Sequence, residues 1–77
     1  MSAPLDATRL KATHLKLFAL RCADTADRVT RNEIAFLDGV DLVYDAACAS
    51  GLVEAVGDDI VQATMAAAFA NARRAAA

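Results

Sequence analysis

Residues 29–34 read Val29-Thr30-Arg31-Asn32-Glu33-Ile34, and they open the apolar run Ala35-Phe36-Leu37-Asp38-Gly39-Val40-Asp41-Leu42-Val43-Tyr44-Asp45-Ala46-Ala47-Cys48-Ala49. Thr30 and Glu33 stand at capping-box spacing. In that box the Thr30 hydroxyl accepts from the N–H of Glu33, and the Glu33 carboxylate accepts from the N–H of Thr30. Val29 and Ile34 flank the box at the positions of a hydrophobic staple. The spacing therefore predicts a helix that begins at 31 and runs to 49. Removing the Thr30 hydroxyl would then cost about 1 kcal/mol. In this helix Phe36, Val40, Val43 and Ala47 form one stripe. Leu37, Tyr44 and Cys48 flank it on one side, and Ala35, Leu42 and Ala46 on the other. Only Asp38, Asp41 and Asp45 are left for water. A helix apolar around so much of its circumference belongs at the centre of a bundle.

The chain on either side is also helical in pattern. A first helix is predicted over about 5–23, with Leu5, Ala12, Leu15, Phe18, Ala19, Leu20 and Cys22 on a broad apolar face. Leu10 and Leu17 lie on a second seam beside Thr13, His14 and Arg21. The polar stretch Ala23-Asp24-Thr25-Ala26-Asp27-Arg28 reads as a short connection between antiparallel neighbours. After 49, Gly51 suits a left-handed C′ position. Leu52–Val56 is long enough for one helical turn, which Gly57 breaks. Asp58 or Asp59 can cap a last helix over about 59–74, whose core stripe is Val61, Met65, Ala68, Phe69 and Ala72. Arg73 and Arg74 stand at its C-terminal end, where cations are favoured.

The fold class follows: all-α, a single domain over 1–77, built as a small antiparallel bundle of three main helices with a short extra turn near 52–56. Pro4 is the only proline, and there are three glycines. That is too little turn chemistry for a sheet protein. Apolar residues make up 57% of the chain, above the usual share of roughly 45–50%. Twenty of them are alanine, the strongest helix former. A bundle of 77 residues has few helices with which to cover residues 31–49, so pairing with a second copy is expected.

Charge and motifs narrow the function. Residues 1–31 carry six Lys/Arg against three Asp/Glu, and residues 32–77 carry two against seven. This asymmetry fits a first helix packed beside an acidic neighbour, or an electrostatic docking face. Helical metal sites usually combine carboxylates with His, and the Asp38/Asp41/Asp45 strip has no His, so no metal is expected. His14 is a lone histidine without a catalytic constellation around it. Cys22 and Cys48 form no CxxC and lie among apolar residues, which predicts buried free thiols. The chain has no Gly-rich phosphate loop, no GxSxG and no pair of zinc ligands. Catalytic residues and cofactors are therefore not expected, and the chain is read as a non-enzyme. With no apolar leader and no stretch of about 18 apolar residues, a cytoplasmic protein that does not enter a membrane is expected.

These features predict a small protein–protein interaction or oligomerisation module, a homodimer or the partner of another protein. Leu10, Leu17, Leu42 and Tyr44 are its interface candidates. The alternative is a DNA-binding regulator. Residues 33–41 resemble the turn region of a helix-turn-helix, with Ala35, Gly39 and Val40 at matching places. A recognition helix over 41–49 would, however, carry Asp41 and Asp45 and no Arg, Lys, Asn or Gln to read bases. The pI near 5.1 also opposes a nucleic-acid partner.

Overall fold

A computed structural model describes residues 3–76, with side chains described over residues 9–72. Four helices follow in order: α1 (Ala3–Thr30), α2 (Phe36–Ala49), α3 (Leu52–Val56) and α4 (Asp58–Ala76). No strand occurs among the described residues. The expectations for Leu5, Arg73 and Arg74 fall on side chains outside that range.

The helices α1, α2 and α4 run up, down and up, with α3 as a short link at the lower end. Near one end of α2, Gly39 meets Thr25 and Val29 of α1. Near the other, Ala46 and Ala49 share a groove with Leu17 and Phe18. Likewise Phe36 meets Phe69 of α4 edge-to-face, whereas Tyr44 reaches back to Asp58. The core at the centre is Phe18, Cys22, Ala26 and Val29 of α1, Val43 and Ala47 of α2, Leu52 of α3, and Val61, Met65, Phe69 and Ala72 of α4. At 50 × 18 × 17 Å the molecule is elongated. A 28-residue helix is about 42 Å long and α2 is only half that length, so the first turns of α1 project beyond the bundle. Arg9 through Thr13 are all exposed there.

The main departure from the sequence-based expectation lies at Thr30. It closes α1 and does not open α2. Its hydroxyl donates to the Ala26 carbonyl one turn back, at 3.1 Å. Asn32 follows with φ of 63°, in the left-handed region. The N–H of Asn32 donates to Val29 O at 3.0 Å, and that of Glu33 to Arg28 O at 2.9 Å. These two bonds are the 5→2 and 6→1 pair of a Schellman stop with Asn32 at C′. Glu33 turns to Arg31 at 3.5 Å and leaves the Thr30 N–H inside the helix. The cap of α2 is Ala35, extended and without a side-chain hydrogen bond. Helix 2 thus begins five residues later than the capping box implied.

Burial explains the outcome. Thr25, Ala26 and Val29 continue the stripe of Phe18 and Cys22 at helical spacing, and all are buried. Ending the helix at 23 would forfeit that packing. The supposed connection also carries its own helical pairs, Asp24–Arg28 at 3.8 Å and Asp27–Arg31 at 2.9 Å, both exposed and individually weak. Val29 and Ile34 do come together, but across the turn and against Gly39.

This geometry makes a local prediction. Asn32→Val forces a β-branched residue into the left-handed region and should cost about 1–2 kcal/mol. Asn32→Gly should be neutral or stabilising. Thr30→Ala should move stability by under about 0.5 kcal/mol, the range of an exposed site, because no N-cap is lost. Urea unfolding of the three variants checks the order. A loss at Thr30 exceeding that of Asn32→Val would restore the capping box.

Other local features are present, but α4 starts at Asp58 with the Val61 N–H on the Gly57 carbonyl, so neither Asp58 nor Asp59 is its N-cap, and Ala12 of the predicted α1 face is exposed. Gly51 ends α2 with φ of 82°, and Gly57 separates α3 from α4 with φ of 96°. The stripe of α4 is buried at Val61, Met65, Phe69 and Ala72, with Ala68 half-buried. Gly39 lies inside α2 and not at a turn. Leu20 departs from the predicted α1 core face and is 60% exposed. Nor is α2 wrapped on all sides. It buries Gly39, Val43 and Ala47 and leaves Leu37 and Leu42 to solvent.

Candidate interaction surface

Leu10 and Leu17 stand seven residues apart on α1. Two helical turns bring them to nearly the same angle, about 20° apart. They are 69% and 59% exposed. That edge of α1 adjoins α2, because Leu17, Phe18, His14 and Arg21 line a groove with Ala46, Ala49 and Ser50. The groove holds about 630 Å³. Leu42 precedes Ala46 and Ala49 at i, i+4 and i+7, so it stands on the same outer side of α2, 56% exposed. The α1/α2 face therefore presents Leu17 and Leu42 beside a floor of small residues, and Leu10 continues the Leu17 edge along the part of α1 that projects beyond α2.

Tyr44 lies elsewhere. It is on the flank of α2 that meets α4, half-buried, and its hydroxyl donates to Asp58 Oδ1 at 2.6 Å. That hydrogen bond, helped by desolvation and the nearby carboxylate, pushes the phenol up to about 12. The phenol stays protonated through neutral and mildly alkaline pH. The contact it makes is present below the ordinary phenol pKa and is lost as pH rises through about 12. Leu17 and Leu42 are thus brought to one face, Leu10 extends its α1 edge beyond the end of α2, and Tyr44 ties α2 to α4. Asp58 serves this bond in the first turn of α4.

A second groove of about 420 Å³ lies between α2 and α4, over Phe36, Val40, Met65 and Phe69, with Gln62 at its edge. Its aromatic pair is edge-to-face at 5.9 Å, a favourable geometry for two rings. Leu37 and Ile60 are further exposed apolar side chains. The apolar periodicity of α2 did not separate Leu37 and Leu42 from the buried positions. The Leu42/Ala46/Ala49 spacing was the signal for the α1/α2 face.

Charge is arranged asymmetrically around this face. Asp38, Asp41 and Asp45 are exposed on the outer side of α2. The ion pairs among the described residues all fall within α1 and the turn after it. None joins Arg21 or Lys16 to the acidic strip, so α1 packs beside α2 without neutralising it.

The two thiols differ. Cys22 is buried, and desolvation pushes its pKa up to about 11. Cys48 is exposed, contrary to the expectation of two buried thiols, because it follows Tyr44 by one turn on the outer flank of α2. An aromatic-disulfide thiol reagent at pH 8 should therefore titrate one thiol per chain quickly and the second only on unfolding. Cys48→Ala should abolish the fast phase. Two equally fast thiols would contradict the packing of Cys22.

Among the described residues, no helix is long and apolar enough to cross a membrane. No family model matches the chain, and comparison with curated proteins and with solved structures yields no match.

Proposed function

We propose that the chain is a non-catalytic helical module that works by protein–protein association through the α1/α2 face. The observation that carries this reading is the exposure of Leu17 and Leu42 on one side of so small a bundle, with Leu10 extending the same edge of α1. Contiguous apolar surface rimmed by polar groups marks association sites. The reading is supported by the small residues between the leucines. Ala46 and Ala49 let another helix approach closely, as ridges enter grooves. The proposed contact is made first of all with another copy, in keeping with the predominance of two-fold homodimers among soluble oligomers.

Sedimentation equilibrium across the micromolar range tests this. The wild-type chain is expected to be dimeric, and Leu17→Asp/Leu42→Asp is expected to be monomeric with an unchanged helical circular dichroism spectrum. Association should weaken at least about 100-fold, since two central apolar anchors are replaced by charges on each copy. A monomeric wild-type chain at every concentration would overturn the reading.

A further inference from the structure

The two sides of the α1/α2 face differ in charge, and that difference selects one arrangement of two copies. We infer that the face is closed by a second copy of this chain related by a two-fold axis parallel to the helices, so that α1 of each copy lies on α2 of the other. This rests on the reading of the face as an association surface and specifies the partner and its orientation.

Two limiting orientations of a two-fold axis in the plane of the face put different helices in contact. An axis perpendicular to the helices lays α2 on α2 and α1 on α1. It would bring Asp38 and Asp45 of one copy toward the same strip of the other, with no cation of either α2 between them. Like charges juxtaposed in an interface are strongly disfavoured. An axis parallel to the helices instead lays the α1 edge, with Arg21, over the acidic outer strip of α2. Among the described residues, neither Arg21 nor Asp45 has an ion-pair partner that it would have to give up.

Height along the bundle agrees with this choice. Arg21 and Ala46 line the same groove, so Arg21 and Asp45 stand at nearly the same level. An axis parallel to the helices preserves level and brings Arg21 of each copy toward Asp45 of the other. At the level of Leu17 the opposing surface is Ala46 and Ala49. A large side chain thus meets small ones, twice by symmetry. The contact is isologous: what residue 21 of one copy does with residue 45 of the other is repeated across the axis.

Charge exchange tests the arrangement by sedimentation equilibrium at low salt. Arg21→Glu places two Glu–Asp repulsions in the homodimer, and Asp45→Arg places two Arg–Arg repulsions. Each should weaken self-association at least about tenfold. Mixing the two variants should form a heterodimer tighter than either homodimer, because both of its contacts pair opposite charges. Arg21→Glu/Asp45→Arg in one chain should restore the homodimer. Both side chains are exposed, so the variants should keep the wild-type helical spectrum. Dimers that ignore both single changes, or that gain nothing on mixing, would overturn this arrangement and leave association through the leucines standing. A wild-type chain that never dimerises would overturn both.

Discussion

Leu52→Ala should lower the free energy of unfolding by about 3 kcal/mol, among the largest losses of any single truncation in the chain. Leu52 is fully buried and belongs to α3, a helix of five residues that does not hold itself together. Its side chain fixes the reversal between α2 and α4, since α3 packs against all three longer helices. Truncation removes about three methyl or methylene equivalents of burial and leaves a cavity at the point where the chain turns. A 77-residue domain has a total stability of roughly 4–12 kcal/mol, so the loss is a large fraction of the whole. Leu20→Ala and Leu37→Ala are the matched controls. Both side chains are mostly exposed, and each change should stay within about 0.5 kcal/mol. Urea titration gives all three values. Equal losses at Leu52 and Leu20 would mean that α3 does not plug the core.

Gly39→Leu should cost a similar amount, about 3 kcal/mol, by overpacking and not by a void. Gly39 lies in the first turn of α2, against Thr25 and Val29 of α1. A Cβ there would stand 2.9 Å from Val29 Cγ2, 3.3 Å from Thr25 Cγ2 and 3.4 Å from Ile34 Cδ1. Val29 is buried and β-branched, so it has little freedom to move aside. Gly39→Ala separates packing from propensity. Helix propensity alone favours alanine by about 1 kcal/mol. Crowding at Val29 is expected to reverse the sign and leave a net loss of about 1 kcal/mol. A gain in stability for Gly39→Ala would show that the two helices are not in close contact at this point.

The same contact explains what could be read from sequence and what could not. The second half of the chain was legible because its signals are local. Gly51 and Gly57 take the positive φ that glycine permits, and the Val61/Met65/Phe69/Ala72 stripe faces one way. The end of α1 is ambiguous in sequence because a Thr followed three residues later by Glu is compatible with either end of a helix. The deciding features were the continued stripe at Thr25, Ala26 and Val29, and Asn32, a residue that tolerates the left-handed conformation. Gly39 reads as a helix-interior residue and lies inside α2, where the close approach of α1 demands the missing side chain. Which leucines remain exposed is a different matter. Leu20, Leu37 and Leu42 look equally apolar in sequence, and only the placement of α1 and α4 around α2 decides which of them meet water. Tyr44 groups with the leucines in sequence for the same reason, because its hydrogen bond to Asp58 depends on α4 folding back alongside α2.

The central claim is that the α1/α2 face is where this protein meets its partner. Amide and methyl NMR spectra recorded through a dilution series test it residue by residue. The shifts that change with concentration should cluster at Leu10, Leu17, Arg21, Leu42, Ala46 and Ala49. Phe36, Val40, Met65 and Phe69, on the α2/α4 side, should stay constant. Spectra that do not change with concentration, or changes confined to the α2/α4 groove, would contradict it.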